Sequence, residues 1–147
     1  MEEHPVSDCP YCDPPAPEFG GWVHEDENWL VAHGPAATTM AGALRVTSRR
    51  HFTDFAEMTT AESESFGRLL TRLDATLRAV TDAERVHVVS TRDRVPHFHA
   101  WLYPRPAHHP LRGTAFRDAP QQSSPADTEK TVHVIRHHLA EGRTAAR

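Results

Sequence analysis

Two short runs in this 147-residue chain are of types and spacings that can do chemistry. The first is Val95-Pro96-His97-Phe98-His99-Ala100-Trp101-Leu102-Tyr103-Pro104-Arg105. Read as a β-strand, it turns successive side chains to opposite faces. His97, His99, Trp101 and Tyr103 then share one face, and Phe98, Ala100 and Leu102 share the other. Imidazoles two positions apart lie about 6.5–7 Å from each other, close enough to act on one site, while the apolar face packs on a core. The second run is Cys9-Pro10-Tyr11-Cys12, a two-thiolate bite of the kind that tetrahedral zinc takes.

Zinc needs two further ligands, and the chain has no other cysteine, so histidines must supply them. His51 follows Arg49-Arg50 at the end of a predicted strand, and His97 opens the histidine strand. The competing reading of the cysteines is a redox pair or plain surface thiols. A redox C-x-x-C sits between a strand and a helix, and Pro14, Pro15 and Pro17 oppose a helix there. A different alternative makes His97-x-His99 itself a catalytic metal pair, with activity that tracks metal bound by His99. His133 and His137, four apart on a predicted helix, read as a polar helix face.

Periodicity outlines the elements that must hold these residues. Residues 22–25 and 28–33 read as two strands around an acidic turn, followed by a Gly/Pro/Ala/Thr loop over 34–41. Residues 42–47 are a third strand, with Leu44 and Val46 on one face. Phe66, Leu69, Leu70, Leu73, Leu77 and Val80 recur at helical spacing, and Thr59 with Glu62 fits a capping box at the helix start. Residues 85–90 form a strand, 91–94 a charged turn, and the histidine run another strand. A last helix spans 125–141, with Ser124 as N-cap, Pro125 at its first position and Gly142 just past its end. This order predicts an α+β fold, an antiparallel sheet with one long helix and a C-terminal helix. Residues 1–147 read as one domain, with 106–147 a C-terminal extension packed on it.

The hydrophobic fraction is 38%, and twelve prolines imply long irregular segments. A net charge of −4 argues against nucleic-acid binding by bulk charge. Local clusters at Arg49-Arg50 and around Arg92, Arg94 and Arg105 suffice for a small anion. No apolar run approaches the roughly 20 residues that cross a bilayer. The opening Met1-Glu2-Glu3-His4 lacks the order of a signal peptide. The expectation is a cytoplasmic protein without membrane contact, where a Cys9–Cys12 disulfide is disfavoured.

The run from His97 to Arg105 resembles the signature strand of the histidine-triad superfamily, which has three alternating histidines, two apolar residues and often Pro-Arg. Two histidines match, and Trp101 takes the third position. The N-terminal C-x-x-C, the strand Gly42-Ala43-Leu44-Arg45-Val46, its ending Ser48-Arg49-Arg50-His51 and the long helix are similar to bacterial members, so the resemblance covers about two-thirds of the chain. The superfamily also includes galactose-1-phosphate uridylyltransferase, whose motif has two histidines and then glutamine.

The resemblance implies a structural Zn²⁺ held by Cys9, Cys12, His51 and His97, and a nucleophile at His99. That imidazole would attack the α-phosphorus of a nucleotide or nucleotide-like phosphate ester, giving a nucleotidyl-histidine that water or another acceptor resolves. It implies a hydrolase or nucleotidyltransferase that forms a homodimer through the long helix and adjoining sheet edge. Trp101 departs from the pattern: an indole N–H donates without titrating, so it can bind a phosphate oxygen or stack on a base, but it is no general acid. A glycine-rich phosphate loop is replaced by Ser90-Thr91-Arg92-Asp93-Arg94, where Arg92 and Arg94 supply charge instead. His33 falls where members carry a ribose-contacting asparagine, so the expected substrate contacts are His33, Arg92, Arg94 and His97. The alternative is a zinc-stabilised protein of this type that binds a ligand or partner without turnover.

Overall fold

Five antiparallel strands form one sheet: β1 (His24–Glu25), β2 (Trp29–His33), β3 (Leu44–Ser48), β4 (Ala83–Val89) and β5 (His99–Pro106). Their spatial order is β1-β2-β3-β5-β4, so β5 is central and β4 is an edge. The computed structural model describes residues 8–145, with side chains through Gly142. The opening residues 1–4, which carry the signal-peptide reading, lie outside the described residues.

Helix α1 (Thr60–Val80) begins where the spacing of Thr59 and Glu62 predicts. The Glu62 N–H donates to Thr59 Oγ1 at 3.1 Å, and the Thr59 N–H donates to Glu62 Oε1 at 2.8 Å. Two otherwise orphaned donors are thereby satisfied. From there Leu69, Leu73 and Leu77 pack on Val31, Leu44, Val46, Ala100 and Leu102 of the sheet. Each such side chain contributes about 1.5–3 kcal/mol by leaving water. The pairing of β3 with β5 fixes which residues share a face: Leu44 opposes Leu102 and Val46 opposes Ala100 on the core side. On the other side Arg45 opposes Trp101 and Thr47 opposes His99.

Strand β5 starts at His99, two residues later than expected of a strand that His97 opens. Pro96 has no N–H to give to a ladder, and the Phe98 N–H bonds instead to the Phe52 carbonyl, which turns the chain out of the sheet before His99. The C-terminal third is more ordered than its prolines suggest. It contains α2 (Gly113–Asp118) and α3 (Pro125–Ala145). Phe116 of α2 is buried and centres 4.9 Å from the rings of both His87 and His109. Ser124 caps α3 by accepting the Asp127 N–H at 3.1 Å. That helix runs through Gly142 to Ala145 instead of stopping before it. A helical glycine costs about 1 kcal/mol relative to alanine, too little to end a helix by itself. Val132, Ile135 and Leu139 bury its predicted face. Among the described residues no helix is long and apolar enough to cross a membrane.

Candidate functional site

The C-x-x-C turn, the end of β3 and the approach to β5 converge on one cluster. Cys9, Cys12, His51 and His97 present ligand atoms that all lie within 4.8 Å of one another. His97 Nδ1 is 3.3 Å from Cys9 Sγ, 3.6 Å from Cys12 Sγ and 3.1 Å from His51 Nδ1, and Cys12 Sγ is 3.2 Å from His51 Nδ1. With Zn–N near 2.0–2.1 Å and Zn–S near 2.3 Å, the edges of a tetrahedron are about 3.4–3.8 Å. The observed spacings fall close to these, and two thiols with two imidazoles are a donor set that Zn²⁺ takes. His97 Nε2 lies 2.7 Å from the Ser48 carbonyl, which assigns its proton there and leaves the Nδ1 lone pair facing the thiols. Arg50 steadies the His51 segment: its Nε and a terminal nitrogen donate to the two Glu62 carboxylate oxygens at 3.1 and 2.9 Å. The four residues can hold a metal ion.

His99 lies on the open face of the sheet. Its Nδ1 donates to the His97 carbonyl at 2.8 Å, so Nε2 carries the lone pair and has no hydrogen-bond partner among the described residues. Burial lowers the His99 pKa, and the charges of Arg45 and Arg92 lower it further against the pull of the His97 carbonyl. The imidazole is therefore neutral at neutral pH. Ser90 Oγ anchors the strand by donating to the His99 carbonyl at 2.6 Å. The one site expected of two imidazoles is thus two sites sharing one backbone segment. The His97 ring turns to the thiols because its residue precedes the strand, while its carbonyl orients His99. His97 has no exposed surface through which to meet a substrate.

Two residues beside His99 come to light only in three dimensions. Tyr11, between the cysteines, sets its ring edge-on to His99 with centroids 5.0 Å apart. Arg45 stands between aromatics, its guanidinium carbon 4.5 Å from the Tyr11 ring centroid and 5.7 Å from that of Trp101. Alternation along β3 puts Arg45 off the core face, but only strand register puts it opposite Trp101. Trp101 stacks parallel on Tyr103, with centroids 5.8 Å apart, and its indole approaches Gly34. A Cβ on Gly34 would stand 2.8 Å from Trp101 Cζ3, so only glycine fits there. A cavity of about 700 Å³ opens beside Tyr11 and Arg45, walled by the N-terminal segment, the loop after β2 and the start of α3.

The other expected contacts are placed differently. His33 lines the cavity, but both ring nitrogens serve the backbone: Nδ1 donates to the Gly34 carbonyl and Nε2 accepts the Gly42 N–H, each at 2.8 Å. Arg92 adopts a left-handed backbone (φ 57°) and folds its guanidinium over Phe55 and Phe98. There it donates to Ser90 Oγ at 2.7 Å and lies 3.6 Å from Asp54. It acts on His99 through its charge. Arg94 is exposed on the turn.

No family model and no curated protein matches the sequence. Solved structures do match. A Zn-bound histidine triad family protein from Mycobacterium smegmatis is 20% identical with a TM-score of 0.72, over 94% of this chain and 97% of that one. A hypothetical histidine triad nucleotide-binding protein from Sulfolobus tokodaii is 14% identical with a TM-score of 0.65, over 82% and 83% of the two chains. The diadenosine triphosphate hydrolase of Plasmodium falciparum, in complex with Cyclomarin A, is 11% identical with a TM-score of 0.63, over 88% and 87%. In architecture and strand topology, this chain has the histidine-triad fold.

Proposed function

We propose that the protein is a nucleotide phosphoester or phosphoanhydride hydrolase, or a nucleotidyltransferase, that works through a nucleotidyl-histidine at His99. The observation that carries this reading is the 2.8 Å bond from Nδ1 to the His97 carbonyl, which leaves a neutral ring with its Nε2 lone pair unshared. That pair attacks the α-phosphorus and forms a P–N bond. The P–O bond to the leaving group breaks, and the departing oxygen keeps the electron pair and takes a proton from water. A water or an acceptor hydroxyl then attacks phosphorus, the P–N pair returns to Nε2, and the displaced proton passes to solvent. Trp101 offers a hydrogen bond but transfers no proton. Arg45 and Arg92 favour a phosphate near a neutral imidazole. Zn²⁺ bound by Cys9, Cys12, His51 and His97 is a structural cross-link that supplies no step of the reaction. This reading pairs two copies through the long helix α1 and the adjoining sheet edge, β4, where Val88 is half exposed.

Fold neighbours named as a nucleotide-binding protein and a diadenosine triphosphate hydrolase support the substrate class. Trp101, in place of a titratable group, favours a second reading of ligand binding without turnover. Intact-protein mass spectrometry separates them, after brief incubation with nucleotides and nucleotide sugars and an alkaline quench that preserves phosphohistidine. The expected result is a nucleotidyl adduct on the wild type that is lost in His99→Ala, with circular dichroism and zinc content unchanged. Neither adduct nor product from a zinc-loaded wild type would establish the binding protein.

A further inference from the structure

Among the described residues, no carboxylate pairs with Arg45. Its Nε donates to Thr47 Oγ1 at 3.2 Å, and among the described residues its terminal nitrogens have no hydrogen-bond or carboxylate partner. The Tyr11 and Trp101 rings both lie within cation–π reach of the guanidinium and restrain it, which lowers the side-chain entropy still to be lost on binding. The residue is half buried and lines the cavity of about 700 Å³. Most of that lining cannot recognise a polar ligand through its side chains: it is proline and alanine, and His33 has spent both nitrogens on the backbone. The one acid of the lining, Glu18, is exposed and makes no ion pair with Arg45. Register places Arg45 two residue pairs along from the Thr47–His99 pair, on the same face, a diagonal spacing of about 7–8 Å across neighbouring strands. A ligand with its phosphorus at His99 would bring a group several bonds away to Arg45 at the edge of the cavity.

We infer that Arg45 is a specificity-determining residue that binds a second oxyanion, a carboxylate or phosphate, carried several bonds from the phosphorus that meets His99. This rests on His99 being the phosphorus-binding histidine of the proposed function. An open guanidinium fork matches a planar or tetrahedral oxyanion by two parallel N–H···O bonds, and the apolar walls keep competing water low. A site of this kind rejects an isosteric ligand with a neutral end, because Arg45 then loses solvation with no anion in return.

Isothermal titration calorimetry on the zinc-loaded protein tests this with non-hydrolysable probes: 4-phosphonobutanoate, its neutral-ended amide 4-phosphonobutanamide, and propane-1,3-bisphosphonate. The wild type is expected to bind the phosphonocarboxylate or the bisphosphonate about tenfold or more tightly than the amide, and the tighter of the two names the oxyanion. Arg45→Gln should bring that ratio close to one by weakening the two doubly anionic probes far more than the amide, while Arg45→Lys should restore part of it. An unchanged melting temperature in Arg45→Gln shows that the fold is kept. A ratio near one in the wild type, or the same ratio in Arg45→Gln, overturns the inference. The adduct experiment fails independently: an adduct with no preference for a second anion leaves His99 in place and removes Arg45. A preference with no adduct leaves the Arg45 site in place and removes the turnover.

Discussion

Replacing His33 with phenylalanine keeps an aromatic ring of similar size and deletes two backbone clips at once. His33 is 7% exposed, and its ring bridges the two ends of the loop between β2 and β3. Without Nε2 the buried Gly42 N–H has no acceptor, a loss of about 1–3 kcal/mol, while the Gly34 carbonyl adds less because it retains other options. The loop cannot easily re-form around the gap. Gly42 has φ 95°, and a Cβ there would stand 2.9 Å from Pro104 Cγ. Urea unfolding at pH 7.5 should therefore show His33→Phe less stable by about 1–3 kcal/mol. The difference has a pH signature. Burial holds the His33 pKa below that of a free histidine, with the Gly34 carbonyl bond working the other way. Near pH 6.5 and below, the unfolded chain takes a proton that the folded ring resists. The stabilisation from His33 is thus complete above about pH 6.5 and is lost as pH falls through the folded pKa, by at most about 1.4 kcal/mol per pH unit. The other histidines cancel in the difference between the two proteins. Parallel stability curves from pH 7.5 to 5 would refute the argument, as would a loss below about 0.5 kcal/mol at pH 7.5.

The metal cluster and the start of α1 give two further tests. Cys9→Ser should lose most of its zinc, measured by elemental analysis after dialysis, and melt roughly 5–10 °C lower, because a ligand bound only by the folded state no longer stabilises it; unchanged zinc content breaks the four-ligand assignment. For Glu62, burial raises the carboxyl pKa, but hydrogen bonds from Arg50 and the Thr59 N–H together with the Arg50 charge outweigh it and hold the group below the ordinary range. Its contribution is complete above the unfolded pKa and is lost as pH falls through the folded one. Glu62→Gln should cost about 1.5–3 kcal/mol by urea unfolding at pH 7 and much less at pH 3, with chelator in both arms to keep metal loss out of the difference. An equal cost at both pH values would show that the charge of Glu62 contributes nothing.

The parts of this molecule legible in its sequence are those set by short-range chemistry. The capping box at Thr59 and Glu62, the leucine stripe on α1 and the alternation of Leu44 with Val46 follow from local steric and hydrogen-bonding rules, and the structure shows all three. The cysteine pair with His51 and His97 gathers as the resemblance implies. What lay beyond reach depends on register and on distant packing. Arg45 meets Trp101 because β3 and β5 pair with a particular offset, and no local pattern states that offset. Tyr11 reaches His99 because a loop 88 residues away in sequence is drawn to His97. Arg92 reads as a phosphate ligand by charge alone, yet an aromatic shelf from Phe55 and Phe98 takes its side chain. Helix α2 is six residues long and was hidden among prolines, since Phe116 is held by tertiary contact with His87 and His109.

Gly20 and Val132 give the cavity an unusual origin. Gly20, at φ 84°, passes so close to α3 that a Cβ would stand 2.7 Å from Val132 Cγ1, and Arg136 donates to its carbonyl at 2.8 Å. The N-terminal and C-terminal segments are thereby fastened to each other, and between them they line more than half of the cavity. His99, by contrast, is carried by the central strand. His99 and much of the cavity wall therefore belong to separable stretches of chain. An engineer can exchange residues 13–19 and 121–128 as a matched pair, keeping the cysteines, Gly20 and Val132. That graft changes what lines the cavity while His99, the His97 carbonyl and the Cys9, Cys12, His51 and His97 cluster stay as they are.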